Sequence, residues 1–212
     1  MKLIKKNSNI EFVEKKSRFI GYAFYVESKE EVEDILSDLW KQHRKCSHIC
    51  TASQIGLGEK RGEFDDNGEP SLTGGYPMLQ ILETQDIRQV LLCAVRYFGG
   101  IKLGKGGLIR AYTRTAQLSL EAAGLREVLQ VDKWHLSYDY SHHGSVEYIL
   151  AKEKILGLEP LYTEIVERQI YLEDPLVLDE LVEISDGKIT LQFEGRYYLD
   201  FIKGPVELEK IK

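Results

Sequence analysis

An unbroken apolar run over residues 90–95 constrains the fold more than any other segment of this chain. A run of this length, flanked by polar and aromatic residues, is typical of a β-strand that is covered on both of its faces. A glycine-rich segment, residues 99–107, follows it directly. A helix is then predicted from about Leu108 to Ala123, ending at Gly124. We therefore expect a central strand, covered on both sides, with a glycine-rich turn near one end.

The rest of the first half predicts an alternation of strands and helices around that central strand. The predicted elements are strands over 10–16, 18–26 and 46–57, a helix over 29–43, and a helix from Pro70 or Ser71 to about residue 83. Ser28 is a suitable N-cap for the helix over 29–43, and Glu31 follows it at the spacing of a capping box. Pro77 conflicts with the first half of the later helix, because proline donates no backbone hydrogen bond.

The second half predicts the order β-α-β-β-α-β. Its predicted elements are strands over 134–140, 160–165, 167–172 and 189–193, with helices over 144–155 and 175–184. This order is the split βαβ pattern of a ferredoxin-like domain. We predict an α+β fold with two domains, residues 1–130 and 131–212, and a linker near 126–133. The tail from Arg196 is aromatic and then charged, and its pattern assigns it to no element.

The net charge of −6 is distributed unevenly along the 212 residues. Residues 1–131 contain 19 lysines and arginines against 17 acidic residues, whereas residues 132–196 contain 6 against 14. This asymmetry indicates two domains with different partners. The acidic second domain would repel phosphate, so it favours contact with protein or with a basic ribosomal protein.

The cysteines and the amino terminus indicate the cellular compartment in which the protein is expected. Cys46, Cys50 and Cys93 form a poor disulfide framework and suit a reducing compartment. The polar, lysine-bearing amino terminus lacks the apolar stretch of a signal peptide, and no run of about 18 apolar residues occurs. We expect a cytoplasmic protein that does not bind membranes, and no motif calls for a cofactor.

A local excess of positive charge lies in the middle of the chain. No carboxylate occurs between Asp86 and Glu121, although that stretch contains six cations. These are Arg88, Arg96, Lys102, Lys105, Arg110 and Arg114. Arg110 and Arg114 share one helix face because they are four residues apart. In an acidic chain this stretch predicts an anion-binding surface.

The glycine-rich loop strengthens this prediction. Gly104, Gly106 and Gly107 let the backbone approach a ligand, and the N–H groups at the start of the following helix favour an anion. Tyr97 and Phe98 offer stacking faces beside the cations. The predicted phosphate or nucleic-acid site is Arg96, Lys102, Gly104, Lys105, Gly106, Gly107, Arg110 and Arg114. Two other interpretations remain open: tight turns beside a solvated charged face, or docking on an acidic protein.

A cluster of acidic residues is the second candidate. It comprises Glu63, Asp65, Asp66 and Glu69, with Ser71 close by. Carboxylates in a turn could hold magnesium or act as acid and base. Asp-Asn-Gly is equally a common turn, and Pro-Ser a good helix start. Asp65, Asp66, Glu69 and Ser71 therefore remain candidates for a binding cleft, without an assigned catalytic role.

The third candidate is the alternation of Cys46, His48 and Cys50. On a strand these side chains would share one face. With His43 they imitate a zinc site, but no second pair of ligands exists. Nucleophilic catalysis by Cys50 with His48 would need a third, orienting group. We expect the cysteines to be buried, no metal to be bound, and His48 to be a cleft candidate.

Four stretches carry a resemblance to a known family. They are residues 46–50 (CSHIC), 66–71 (DNGEPS), 95–104 (VRYFGGIKLG) and 106–112 (GGLIRAY). In order and spacing they resemble the IMPACT/YigZ family over about residues 15–125, and the second half is similar to the carboxy-terminal domain of its bacterial branch. The chain departs from the family pattern after Ser71, where Leu-Thr-Gly-Gly replaces Gly-Thr-Ala-Gly, and at Ile49, where the family has asparagine.

The resemblance implies a fold for each of the two domains and a function for the protein. It implies a first domain like the second domain of small-subunit ribosomal protein five, and a second domain like a terminal domain of elongation factor G. Eukaryotic relatives regulate translation by competing for a protein partner. We therefore expect a non-enzymatic, translation-associated regulator that binds RNA, the ribosome or a translation-related protein. The alternatives are a phosphotransferase or phosphate-ester hydrolase that uses the same loop, and a regulator that binds protein alone.

Overall fold

The computed structural model describes residues 1–58, 61–200 and 206–210. The chain divides into two compact units, Met1–Glu127 and Val128–Lys212. Two sheets and five α-helices in the described residues confirm the predicted α+β class. None of the described helices has the length and apolar character needed to cross a membrane.

The first unit is built around one antiparallel sheet. Its elements are strands β1 (Lys2–Ile4), β2 (Ser8–Glu14), β3 (Ser17–Tyr25), β4 (His48–Ile55), β5 (Arg61–Asp65) and β6 (Val90–Tyr97), with helices α1 (Lys29–Gln42), α2 (Gly75–Gln85) and α3 (Lys105–Ala123). The sheet order is β2-β3-β6-β4-β5. Strand β1 pairs instead with residues 125–127. The apolar strand β6 is thus central, as its sequence predicts.

The side chains of β6 alternate between two cores. Val90, Leu92 and Ala94 pack with residues of α2 and α3, whereas the odd-numbered residues between 91 and 95 pack with residues of α1. This arrangement confirms the prediction of a strand that is covered on both faces. Arg96 continues the even-numbered set, so its side chain points towards α2 and α3 rather than towards solvent.

Local signals predict α1 better than α2. The Ser28 hydroxyl accepts a hydrogen bond from the Glu31 N–H at 3.2 Å, which confirms the predicted N-cap. Helix α2, by contrast, begins at Gly75 and not at Pro70 or Ser71. Pro77 lies in its first turn, where a backbone N–H would have no partner within the helix. The proline is therefore compatible with the helix once the start is placed correctly.

Helix α3 begins at Lys105, three residues before the predicted start at Leu108. Gly106 and Gly107 therefore lie inside its first turn, where helix propensity disfavours them. A Cβ on Gly107 would lie 2.9 Å from the Leu103 Cβ, so close packing requires a residue without a side chain there. The preceding Gly104 has φ of 73°, the left-handed conformation that turns the chain into the helix.

The second unit has the predicted split βαβ order. Its elements are strands β7 (Leu125–Tyr138), β8 (Leu156–Gly157), β9 (Leu161–Tyr162), β10 (Val166–Leu172), β11 (Thr190–Asp200) and β12 (Val206–Lys210), with helices α4 (His143–Lys152) and α5 (Val177–Ile184). The sheet order is β12-β11-β7-β10-β8, and β9 also pairs with β10. The first main strand thus lies between the third and the fourth, as in a ferredoxin-like domain.

The structure corrects the linker prediction in this half and assigns the segment that the sequence left open. Residues 126–133 are not a linker, because they lie within β7. Buried Val128 and Val131 are three residues apart, so the segment lacks the alternation of period two by which strands are recognised. The unassigned tail is a strand at least from Arg196 to Asp200, within β11.

Candidate functional site

A cavity of about 440 Å³ lies where β6 ends and α3 begins. It is lined by His48, Glu69, Pro70, Arg96, Phe98, Lys102, Leu103, Gly104, Lys105 and Leu108. The antiparallel register of β4 and β6 places His48 opposite Arg96. The cavity therefore joins candidates from three separate sequence segments, and its volume is in the range of small-molecule pockets.

A buried ion pair forms the floor of the cavity. Arg96 Nη1 donates a hydrogen bond to Glu69 Oε1 at 2.5 Å, and the Tyr112 hydroxyl donates to the same oxygen at 2.8 Å. The two charged side chains are only 5% and 3% exposed. Burial, with the Glu69 charge nearby, raises the pKa of Tyr112, so its hydroxyl stays protonated and donates.

Arg96 therefore lies beneath the predicted cationic surface rather than on it. Its guanidinium lies between the rings of Phe19 and Phe98, at 5.6 and 5.5 Å from their centroids. Nη2 also donates to the Ser17 hydroxyl at 3.2 Å. The charge is balanced within the fold by Glu69, so Arg96 is suited to holding the floor of the cavity in place.

His48 presents a hydrogen-bond acceptor to the cavity. Its Nδ1 lies 2.8 Å from the backbone carbonyl oxygen of Asn67. A carbonyl only accepts, so in the neutral ring the proton is on Nδ1, and Nε2 carries the lone pair. Nε2 lies 3.9 Å from Glu69 Oε1. Among the described residues no hydrogen bond is made to the other oxygen, Glu69 Oε2. His48 Nε2 and the Glu69 carboxylate thus lie close together in the cavity lining.

The rim of the cavity is cationic. Lys102 and Lys105 are exposed, and both line the opening. Arg110 is exposed one turn further along α3, with Nη1 near the first turn, about 3.5 Å from where a Gly106 Cβ would be. Lys102, Lys105 and Arg110 have no carboxylate within 4.0 Å in the part of the chain that is described. Arg114 differs, because it lies 3.9 Å from Glu14.

Lys15 joins this surface, although the sequence did not identify it. It lines a second, smaller cavity of about 240 Å³ together with Arg110 and Arg114. The hairpin bend between β2 and β3 lies against the glycine-rich loop, since a Cβ on Gly99 would be 1.9 Å from the carbonyl oxygen of Lys16. Only the pairing of β3 with β6 brings this bend to the loop.

The acidic cluster of the sequence is dispersed. Asp66 accepts hydrogen bonds from the N–H groups of Leu72, Gly74 and Gly75 at 2.6 to 2.9 Å, which caps the start of α2. Asp65 accepts from the Asn67 N–H within the turn. Glu63 pairs with Lys29, and Ser71 is exposed outside the cavity lining. Of this group, only Glu69 reaches the cavity.

Tyr97 and Phe98 point in different directions. Phe98 is half-exposed and lines the cavity mouth. Tyr97 is an odd-numbered residue of β6 and faces the opposite layer, where its hydroxyl lies 2.9 Å from His43 Nδ1. The predicted stacking face is therefore supplied at this cavity by Phe98. Nowhere in residues 1–58 and 61–200 do three histidine, cysteine or acidic side chains converge as metal ligands would.

The cysteines do not share one face as predicted. Cys50 belongs to the core beneath α2 and α3, whereas Cys46 precedes β4 and packs with the opposite core. Burial raises the pKa of Cys50 to about 12, and the thiol donates to the Asp66 carbonyl oxygen. Cys50 is thus protonated at neutral pH and unsuited to act as a nucleophile.

Alkylation with iodoacetamide at pH 8 is therefore expected to modify Cys46 well before Cys50 or Cys93. Burial raises the pKa of all three thiols, but Cys46 is partly exposed, whereas Cys50 and Cys93 are buried and blocked from the reagent. Mass spectrometry of timed digests measures the order, and the unfolded chain in denaturant, where all three react alike, is the control. Labelling of Cys50 as fast as Cys46 in the folded protein would contradict this expectation.

Comparisons with known proteins give the family. The model of the Impact N-terminal domain matches residues 15–120. IMPACT family member YvyE of Bacillus subtilis is 34% identical over 200 residues, covering 93% of this chain and 92% of that protein. IMPACT family member YigZ of Escherichia coli is 29% identical over 65% of this chain and 69% of that protein. A crystal structure of a hypothetical protein, 25% identical, matches 90% of this chain and 95% of its own with a TM-score of 0.58. The chain belongs to the IMPACT family.

Proposed function

We propose that this chain is a translation-associated regulator that binds RNA through a cationic rim, defined as Lys15, Lys102, Lys105 and Arg110. Membership of the IMPACT family supports the link to translation, since the family resemblance implies regulation of translation in eukaryotic relatives. The surface chemistry of the first unit supports RNA as the ligand. The acidic second unit, which would repel phosphate, serves as a protein-contacting module.

One observation carries the proposal. Other arginines of the first unit, such as Arg18 and Arg88, have a carboxylate partner within the fold. Lys102, Lys105 and Arg110 do not have one in the described chain, although they follow one another around one loop and helix start. Their charge is therefore available to an external anion. A polyphosphate backbone matches several cations in a row and releases counterions when it binds.

Affinity for single-stranded RNA, measured at several salt concentrations, tests the proposal. We expect log affinity to fall linearly with log salt, with a slope of about 0.7 for each phosphate contacted. The double variant Arg110→Glu with Arg114→Glu removes the partly paired Arg114 as well as Arg110. Its affinity should fall roughly tenfold or more near physiological salt, with a slope shallower by about 1.

The matched control is Lys29→Glu with Lys41→Glu, which changes the net charge equally. Both lysines lie on α1, which packs on the opposite face of the sheet from α3. If the control loses as much affinity as the α3 variant, the effect is one of overall charge, and the rim is not the site. If the unsubstituted protein does not bind RNA, the regulator acts through protein contacts alone.

A further inference from the structure

We propose that the cavity bounded by His48, Glu69, Phe98, Lys102 and Lys105 binds one nucleotide whose base carries an exocyclic amino group. The ligand is either a free nucleoside monophosphate or one residue of single-stranded RNA. The second source deepens the proposed function and rests on it, whereas the first does not. Four features of the cavity define the ligand: its floor, its walls, its rim and its size.

The floor demands a donor with two hydrogens. Glu69 Oε2 belongs to a side chain that is 3% exposed, and no described residue donates to it. In the neutral ring of His48, the bond from Nδ1 to Asn67 leaves Nε2 as an acceptor, and Nε2 lies 3.9 Å from Oε1 of the same carboxylate. An amino group of adenine or cytosine supplies an N–H to each acceptor. A keto oxygen in the same place would face both acceptors and donate nothing to Oε2, although Oε1 would keep its bonds from Arg96 and Tyr112.

The walls suit a flat ring. Phe98 is 49% exposed, and its inner side is held by the Arg96 guanidinium at 5.5 Å. Pro70, Leu103 and Leu108 complete an apolar lining. Stacking of a base on an aromatic side chain favours binding and tolerates any base. Stacking thus supplies affinity, and the two acceptors at the floor supply the choice of base.

The rim suits the phosphate. Lys102 and Lys105 flank Gly104, which has open space on the side where a Cβ would be. The first hydrogen bond of α3 runs from the Leu108 N–H to the Gly104 carbonyl oxygen. The backbone N–H groups of Lys105, Gly106 and Gly107 therefore have no acceptor within the helix, and they point towards the same rim. A phosphate there would be bound by two ammonium groups and by backbone donors.

The size of the cavity selects the form of the nucleic acid. A volume of about 440 Å³ accepts one nucleotide but not a base pair. Bases of single-stranded RNA are free to leave the stack and enter such a cavity, whereas those of a duplex are not. The cavity therefore assigns single-stranded, amine-bearing sequence as the ligand class when RNA is the source.

AMP and IMP are the discriminating probes, because they differ in the 6-amino group that the floor is proposed to read. Calorimetric titration of the full chain should show IMP binding at least about tenfold more weakly than AMP.

Three variants test the parts of the cavity separately. Phe98→Ala should weaken the binding of AMP and of IMP alike. His48→Leu should narrow the difference between AMP and IMP. The α1 variant with Lys29→Glu and Lys41→Glu should leave both affinities unchanged. Unchanged melting temperatures would show that each variant is folded.

Oligoadenylate and oligoinosinate separate the two sources. Preference for oligoadenylate, with weak binding of AMP, identifies RNA as the source, whereas tight binding of AMP with no gain from the oligomer identifies the free nucleotide. Equal binding of AMP and IMP, together with equal binding of the two oligomers, would overturn the inference. Salt-dependent RNA binding that persists in that case would leave the proposed function intact. Binding of AMP without any RNA binding would refute the proposed function alone.

Discussion

Replacing Glu69 with alanine is expected to lower the free energy of unfolding of the first unit by about 3–5 kcal/mol. Its carboxylate neutralises Arg96, whose side chain is 5% exposed and cannot move to water without opening the core. The substitution leaves a buried charge with no ionic partner and removes the acceptor of the Tyr112 hydroxyl. The destabilisation comes from the charge that stays behind, more than from the bond that is lost.

Urea unfolding followed by tryptophan fluorescence measures this effect unit by unit. The two tryptophans are Trp40 in α1 and Trp134 in β7. In a protein that carries Trp134→Phe, the remaining fluorescence comes from Trp40 and follows the unfolding of the first unit alone. The double variant Glu69→Leu with Arg96→Met replaces both charges with apolar side chains. It should regain most of the stability, because no unpaired charge remains buried. If the double variant is as unstable as Glu69→Ala, an uncompensated charge is not the cause.

Replacing Asp66 with alanine is expected to destabilise the first unit by about 3 kcal/mol. The carboxylate accepts three backbone hydrogen bonds, from Leu72, Gly74 and Gly75, and both glycines are buried. Without the acceptor, the start of α2 loses its cap, and the turn that carries Glu69 to the cavity loses its anchor. Binding of AMP should therefore weaken together with stability.

Asp65→Ala is the matched control, since it removes the neighbouring carboxylate of the same turn. Asp65 accepts a single hydrogen bond, from the exposed Asn67 N–H, so its loss should cost about 1 kcal/mol or less. Asp66→Asn retains one oxygen that can accept and should fall between the two alanine variants. Equal destabilisation by Asp65→Ala and Asp66→Ala would contradict the capping role of Asp66.

The sequence predicts those parts of the candidate site whose residues are close together in the chain, and it misses the contacts between distant segments. Lys102, Lys105 and Arg110 lie within one loop and one helix start, so local spacing alone places them together. Glu69 and Arg96 are 27 residues apart, and their contact depends on a turn held by Asp66 and on the register of β4 with β6. An acidic cluster in the sequence was thus dispersed into a cap, a turn, a surface pair and one buried ion pair.

By itself, the sequence determined the elements that local physics governs. The apolar run of β6 required a covered strand, Ser28 started α1, and the order of elements in the second half specified a split βαβ sheet. Tertiary structure alone decided which side of the sheet each residue of β6 faces, and so turned Arg96 inwards to Glu69 and Tyr97 away from the cavity. The reason is physical, because alternation along a strand is local, whereas the choice of face depends on which helices cover it.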